Sequence, residues 1–187
     1  MDKCSHCGMK KVKVNLQIKG ELLHLCNDCY NKMMSDELNV NLEQVIESFT
    51  LVDGRGISRT FYVERRVYPI GFYFEAVENI EFGYKFAVHG ELEGSQQEMI
   101  SRLIEKTRKG IAEQYIETDV FSGGQAYQNM KNDQIVGVIE YNEASDDEPL
   151  VIIDGKPYTW EEVGKMVTAF EGFQIKLKMY DITDDVE

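Results

Sequence analysis

Apolar and polar residues alternate along much of the chain, a pattern that predicts β-strands with one buried face. Near the N-terminus, residues 11–18 alternate strictly, Lys19 and Gly20 offer a turn, and residues 21–25 return, which predicts a β-hairpin. In the middle of the chain, four further stretches predict an antiparallel meander: residues 49–53, 57–63, 70–77 and 84–89.

Three segments have features of helices instead. Residues 30–34 continue from Cys29 as a short helix. Ser95 and Glu98 form a predicted capping box before an apolar stripe at helical spacing: Met99, Leu103, Ile104, Thr107, Ile111 and Tyr115. Thr159 and Glu162 form a second box before a helix that ends near Gly172 and carries Val163, Met166, Val167 and Phe170. Helices packed on an antiparallel sheet define the α+β class, which is the predicted fold.

Loops and strands are predicted for the remaining C-terminal sequence. In chain order they are a loop around 122–125, a strand over 134–141, an acidic loop over 143–149, a strand over 150–153 that turns at Asp154 and Gly155, and a last strand over 173–180. The last strand is predicted to carry Lys176 and Lys178 on its outer face.

The patterns divide the chain into a small module over residues 1–34, a polar linker over 35–46 and an α+β domain over 47–187. A further boundary near 119–133 is left open. Charge supports the first division, because residues 1–34 hold six lysines and three acids, formally +3, while residues 35–187 carry 14 − 30 = −16.

Charge and hydropathy narrow the classes of function. The formal net charge of −13 disfavours binding to nucleic acid or to anionic lipid by bulk charge. No apolar run approaches the roughly 20 residues of a membrane helix. The N-terminus carries an acid and cysteines where a signal peptide has a basic start and an apolar stretch. We therefore predict a cytoplasmic protein without a membrane partner.

All four cysteines lie in the first 29 residues, as Cys4-x2-Cys7, an interval of 18 residues, and Cys26-x2-Cys29. This spacing predicts that the four thiolates bind one Zn²⁺ ion in a closed, structural site. Alternatives remain open: two disulfides, which need an oxidising compartment, an iron or iron–sulfur centre, or replacement of one thiolate by His6 or His24.

The sequence C-S-H-C-G, followed after the interval by H-L-C-N-D-C, resembles the N-terminal zinc-binding domain of the ClpX unfoldase and, more loosely, the zinc modules of McsA-type stress adaptors. The resemblance covers about residues 1–34. It implies a treble-clef fold, a metal held by these four cysteines, and binding to proteins with frequent dimerisation. The chain departs from the unfoldase afterwards, because it has no G-x-x-x-x-G-K-[ST] phosphate loop. The segment that begins I-D-G-K-P-Y-T-W resembles uncharacterised bacterial proteins and implies no activity.

Candidate catalytic groups are few, and no catalytic residue is assigned. Four carboxylates cluster in sequence around a turn and a helix N-terminus, where capping already explains them: Asp154, Glu161, Glu162 and Glu171. His89 is the only histidine outside the cysteine-rich module, and no G-x-S-x-G, H-E-x-x-H or dinucleotide glycine motif is present.

The leading hypothesis is a zinc-binding adaptor or regulatory subunit that recognises a protein partner and has the option of forming a homodimer. Aromatic and arginine side chains enriched in interfaces follow the predicted strands: Tyr62, Tyr68, Phe72, Tyr73 and Phe74, with Arg65 and Arg66. About half of these aromatics must face the core. One alternative is a nucleic-acid-binding zinc ribbon that uses Lys3, Lys10, Lys11, Lys13 and Lys19. The other is an enzyme of unrecognised type.

Overall fold

The computed structural model describes residues 3–18 and 20–186. It confirms the α+β class: within the described ranges, three α-helices accompany antiparallel sheets, which have two, four, two and three strands in chain order.

The N-terminal module is a hairpin followed by a helix, as predicted. Strand β1 (Val14–Ile18) pairs with β2 (Glu21–Leu25), and α1 (Asn27–Leu38) follows directly. Lys19, half of the predicted turn, lies outside the described residues. Helix α1 ends where Asn39 adopts a left-handed φ of 51°, so its last turn lies within the segment that the sequence assigns to the linker.

The predicted meander is confirmed as a four-stranded antiparallel sheet in sequential order. Its strands are β3 (Ser48–Val52), β4 (Ser58–Tyr68), β5 (Gly71–Glu78) and β6 (Lys85–Gly90). Strand β4 is longer than β3, which pairs only with its first half, so one edge of β4 is free of strand contacts beyond Tyr62.

Helix α2 (Gln96–Ala112) covers one face of this sheet. The hydroxyl of Ser95 accepts the N–H of Glu98 at 3.2 Å, as the sequence predicts for the N-terminus. At the C-terminus the N–H of Gly54 donates to the carbonyl of Ile111 at 2.9 Å. A side chain at Gly54 would lie 2.0 Å from the carbonyl oxygen of Ala112, so glycine is required for this close approach.

The C-terminal part has two small sheets and a helix. Strands β7 (Ile116–Val120) and β8 (Ala126–Met130) form a hairpin, and the residues predicted as a loop around 122–125 are its turn. Strands β9 (Val138–Glu140), β10 (Leu150–Ile153) and β11 (Lys156–Tyr158) form a sheet in which β10 is central. Helix α3 (Trp160–Val167) begins with the predicted capping box between Thr159 and Glu162.

Two predictions for this part need correction. The strand predicted over 134–141 is confined to Val138–Glu140. The strand predicted over 173–180 is wrong, because these residues pair with no described strand and their apolar side chains are exposed. Alternation alone does not form a strand when the second strand of the ladder is missing.

Buried side chains form two separate cores. The first joins the N-terminal module to the four-stranded sheet and α2, and includes Leu25, Tyr30, Phe61, Phe74 and Leu103. The second lies between the small C-terminal sheets and α3, and includes Ile116, Met130, Val151, Ile153 and Met166. No helix among the described residues is long and apolar enough to cross a membrane.

Candidate metal centre

The first cysteine pair lies on a tight turn before the hairpin. The N–H of Gly8, which has a positive φ of 67°, donates to the carbonyl of Cys4 at 2.9 Å, so the chain folds back between Cys4 and Cys7. The N–H of Ser5 donates to the carbonyl of His24 at 2.8 Å. This bond ties the turn to strand β2.

The second cysteine pair lies at the start of α1. Cys26 is the N-cap residue, with extended φ and ψ of −75° and 164°, and its carbonyl accepts the N–H of Tyr30 at 3.0 Å. Cys29 lies in the first helical turn, where the partial positive charge of the helix N-terminus favours a thiolate. The hairpin returns β2 to the first pair, so both pairs point at one position.

The four sulfur atoms are close enough to share one ion. All four Sγ atoms of Cys4, Cys7, Cys26 and Cys29 lie within 4.8 Å of one another, and those of Cys7 and Cys26 are 3.9 Å apart. A tetrahedron of thiolates about 2.3 Å from a metal would place its sulfurs about 3.8 Å apart. The cysteines are free thiols, and their cluster could hold a metal ion. Within residues 3–18 and 20–186 it is the only such group of histidine, cysteine or acidic side chains.

Local hydrogen bonds and burial give the thiols different pKa values. The backbone N–H of Cys7 is the main cause that lowers the pKa of Cys4 to about 6. The N–H groups of Lys10 and Met9 lower the pKa of Cys7, whereas burial raises the pKa of Cys29 to about 12. Thiols alone cannot all ionise in one cluster because the charges repel, and a divalent cation removes that repulsion.

Neither histidine of the module belongs to the cluster. His24 lies on the exposed surface of the hairpin, where its Nδ1 is 2.6 Å from Oδ1 of Asn15. His6 is also exposed and lies outside the group of sulfur atoms. The described geometry therefore favours four sulfur ligands over a mixed set.

The cluster is closed on the protein side. Cys4 and Cys26 are each 2% exposed and are part of the first core, together with Leu25, Tyr30 and Met34. Four donors with two of them buried leave no open position for a substrate, which is typical of a structural site.

Asn31 fixes the module to the sheet. Its Nδ2 donates to the carbonyl of Arg65 at 2.7 Å, and its Oδ1 accepts the N–H of Val67 at 3.0 Å. These two backbone groups lie on the edge of β4 that β3 leaves free. Arg65 then holds the linker, because its guanidinium donates to the carbonyl of Glu43 at 2.8 Å and to Oε1 of Gln96 at 2.6 Å. Sequence reasoning missed Asn31, because nothing local distinguishes it from a surface asparagine.

A polar cleft of about 400 Å³ separates α1 from the sheet and the linker. Two of its buried atoms, Oδ1 of Asn27 and Nε of Arg65, have no hydrogen-bond partner among the described residues. A donor and an acceptor of this kind are satisfied by ordered water in folded proteins.

A buried ion network at one end of the sheet also escaped sequence analysis. Arg59 donates from Nε to Asp53 at 2.7 Å and from Nη1 to Glu78 at 2.9 Å, and lies over the ring of Tyr84 at 5.0 Å. Both carboxylates are buried. Burial raises the pKa of Asp53, but hydrogen bonds from Arg59, Ile57 and Arg55 outweigh it, so the net shift is downward. The network is saturated by its own members and is structural.

The carboxylates singled out by sequence have separate structural roles. Asp154 is buried and accepts the N–H groups of Tyr115 and Ile116 at 3.0 Å and 2.9 Å. Glu162 completes the capping box of α3, and Glu161 pairs with Lys165 at 2.8 Å. Glu171 is exposed.

His89 lies opposite Tyr73 in the sheet, and its Nε2 is buried without a hydrogen-bond partner in the described part of the chain. A side chain at Gly71 would lie 2.8 Å from this Nε2, so the ring occupies the space above the glycine. Packing therefore accounts for its position.

The interface candidates divide between the two faces of the sheet. Phe72 and Phe74 are fully buried, as expected for half of the set. Tyr62 is 49% exposed on the opposite face, and Tyr68 and Tyr73 meet edge to face there, 6.4 Å between ring centroids. Arg66 lies opposite Tyr73 in the register.

Three families match successive stretches of the chain, and each is described only as a domain of unknown function. The matches are DUF7685 over residues 3–41, DUF7686 over 43–112 and DUF7713 over 115–184. The first covers the cysteine-rich module, the second the four-stranded sheet with α2, and the third the C-terminal sheets with α3. No curated protein and no solved structure matches the chain.

Proposed function

We propose that the protein is a zinc-binding adaptor or regulatory subunit, in which one structural Zn²⁺ ion organises the N-terminal module and an exposed sheet face recognises a partner protein. The convergence of four sulfur atoms within 4.8 Å carries the metal part of the proposal. The metal is held by Cys4, Cys7, Cys26 and Cys29, in the closed arrangement that the ClpX-like spacing implies.

Ligand chemistry supports zinc. Thiolates are soft donors, and four of them in a compact tetrahedral arrangement suit Zn²⁺, with iron as the principal competitor. A closed site assigns the ion a structural role. Cys26 caps the start of helix α1, which carries Asn31, so the ion would fix the helix that contacts the sheet.

Metal content tests this part. We expect native mass spectrometry of protein purified without chelator or added metal to show one zinc per chain. Cys7→Ser should reduce the bound zinc to a small fraction, because three sulfur ligands remain. His6→Ala and His24→Ala are matched controls that should keep one zinc. A metal-free wild-type chain, or one that carries iron, would overturn the assignment.

The outer face of the four-stranded sheet supports the recognition part. Tyr62, Arg66, Tyr68 and Tyr73 project from this face, and tyrosine and arginine are enriched at interface hot spots. Glu64 and Glu75 lie opposite each other beside them, and burial together with Glu64 raises the pKa of Glu75. Lys13 of the module pairs with Glu64 at 3.0 Å, so the module borders this surface.

Site-directed photocrosslinking tests recognition by this face. We expect a photoreactive residue at Tyr62 to capture a discrete partner protein in cells and Arg66→Glu to abolish the capture. Arg102→Glu, an equal charge change on the exposed side of α2, should leave it unchanged. Capture that survives Arg66→Glu, or no discrete product, would contradict the role of this face.

Nucleic-acid binding is the alternative. Its candidate lysines are partly neutralised, since Lys10 pairs with Asp28 and Lys13 pairs with Glu64. Lys19 lies outside the described residues. Fluorescence anisotropy with short DNA and RNA at low salt decides between the two: a salt-sensitive rise in anisotropy would favour nucleic acid.

A further inference from the structure

A segment without regular secondary structure near the C-terminus exposes a row of large apolar side chains. Residues 173–180 alternate between apolar and polar positions and pair with no described strand. The apolar side chains are 60–84% exposed: Phe173, Ile175, Leu177 and Met179. Contiguous apolar surface of this kind is typical of an interaction site.

The segment is fixed at both ends. At its start, the N–H of Phe173 donates to the carbonyl of Phe170, and their rings meet 5.5 Å apart. Beyond its end, the Nζ of Lys106 on α2 donates to the carbonyls of Ile182 at 2.9 Å and Asp184 at 2.5 Å. Two anchors restrict the chain between them, so less ordering entropy is lost when another strand pairs with it than for a free terminus.

The three-stranded C-terminal sheet has two edge strands, β9 and β11, and the backbone of only one of them can pair with a further strand. The two-residue turn at Asp154 and Gly155 makes Ile153 and Lys156 a hydrogen-bonded pair. Successive residues of a strand point their backbone groups to opposite sides. Pro157 therefore faces the open edge of β11 and offers no N–H there.

On the other side of β10, the same alternation directs the backbone of Ile139 and Tyr141 to the open edge of β9. Neither residue has a backbone hydrogen bond outside the ladders among the described residues. Strand β9, rather than β11, is the edge that can accept another strand.

The side chains of β9 and of the C-terminal segment are also complementary. Ile139 and Tyr141 are 47% and 67% exposed and form an apolar row that the row of residues 173–179 would extend. Lys176 and Lys178, on the opposite face of the segment, would lie on the face of β9 that carries Glu140, beside the acidic loop over residues 143–149. This charge complementarity makes a second copy of the chain the occupant.

We propose that residues 173–180 of one copy add as a strand to β9 of a second copy, and that the reciprocal exchange closes a two-fold dimer. The exchange buries both apolar rows and satisfies the open edge of each small sheet. The dimer does not depend on the metal or on the outer face of the four-stranded sheet.

Analytical ultracentrifugation of the full chain tests the proposal. We expect a concentration-dependent monomer–dimer equilibrium in the wild type. The double variant Ile175→Asp, Leu177→Asp should weaken the dimer at least about tenfold. Ile139→Pro, which removes the N–H from the open edge, should have the same effect, whereas Ile139→Ala should weaken it less. All altered positions are exposed or lie at an open edge, and circular dichroism checks that each variant is folded.

Hydrogen exchange of the wild type at low and high concentration gives a readout without substitutions. The N–H groups of Ile139 and Tyr141, and every second N–H group within residues 174–178, should gain protection only where the dimer forms. A chain that stays monomeric at high concentration would overturn the proposal. So would a dimer that resists both the aspartate pair and Ile139→Pro, or protection of these groups at concentrations where the chain is monomeric, since that would place the segment on its own β9.

Discussion

At the scale of single residues, the carboxamide of Asn31 takes the place of a neighbouring strand. A peptide group of β3 would donate one hydrogen bond to β4 and accept one from it, and the Asn31 side chain does both at Arg65 and Val67. Asn31 is 6% exposed, so its amide and the two backbone groups it pairs are shielded from water. The contact determines where the N-terminal module lies on the sheet.

We expect Asn31→Ala to lower the free energy of unfolding by about 2–4 kcal/mol, because a buried N–H and a buried carbonyl lose their partner. Lys32→Ala, at the exposed neighbouring position, should change it by less than about 0.5 kcal/mol. Urea titration followed by circular dichroism measures both. Equal effects of the two substitutions on stability would mean that the hydrogen bonds of the Asn31 side chain do not hold the module. We expect the zinc content to be unchanged in either variant.

Arg59 neutralises two buried carboxylates, so its removal should be more costly than the loss of a surface ion pair. We expect Arg59→Met to destabilise the fold by about 3–5 kcal/mol, because Asp53 and Glu78 stay buried without their cation. The double variant Arg59→Met, Asp53→Asn should regain part of this loss. Thermal unfolding of the wild type, Arg59→Met, Asp53→Asn and the double variant makes the comparison, and additive losses in the double variant would contradict the coupling.

Arg59→Met should reverse the pH dependence of stability that Asp53 contributes. In the wild type the pKa of Asp53 is below its ordinary value, so its contribution to stability is present above about pH 4 and is lost as the pH falls through the folded pKa. In Arg59→Met burial dominates and raises the folded pKa above the unfolded one. The variant should therefore gain stability as the pH falls from 7 towards the raised folded pKa of Asp53, in a range above about pH 4 where the contribution of wild-type Asp53 is nearly constant. Urea midpoints across this range measure the sign.

At the scale of secondary-structure elements, local patterns predicted those elements whose partner lies next in sequence. The hairpin of residues 14–25, the four-stranded meander, the capping box of α3 and the Ser95 cap of α2, where only the Glu98 N–H bond forms, have their partners within a few residues or in the adjacent strand. The sequence predicts only a loop for the hairpin of β7 and β8, because the strands are largely polar and the glycine-rich turn is the strongest local signal. Residues 173–179 have a strand pattern but belong to no described sheet, and this difference reveals their row of exposed apolar side chains.

The turn between β10 and β11 connects the two halves of the molecule. Asp154, with a left-handed φ of 53°, accepts the N–H groups of Tyr115 and Ile116 just beyond α2 and lies 3.6 Å from Arg55. We expect Asp154→Ala to cost about 2–3 kcal/mol, because the buried N–H of Ile116 and the half-buried N–H of Tyr115 lose their acceptor. Asp154→Asn should cost less than half of this, since asparagine tolerates the left-handed conformation and keeps one acceptor. Chemical denaturation distinguishes the two; equal losses would show that charge, not acceptance, is required.

At the scale of the whole molecule, three family matches correspond to only two cores. The cysteine-rich module and the four-stranded sheet are matched separately, yet their buried side chains form one cluster. The sequence predicted the cysteine cluster from spacing alone, because metal ligands act through local geometry. It could not predict the shared core, since Tyr30 and Met34 belong to the same buried cluster as Val67, more than 30 positions away.

Metal removal should therefore affect the first core and spare the second. When a chelator strips the ion, we expect hydrogen exchange to accelerate in α1 and also at Val67, whose N–H is held by Asn31. The amides of β10 and α3 should keep their protection, because they belong to the second core. Exchange confined to residues 3–38 would show that the module folds independently of the sheet, and loss of protection in β10 would show a single cooperative unit. Asn31→Ala provides the control: in it Val67 should exchange faster even with the metal bound, which separates the contribution of the amide from that of the ion.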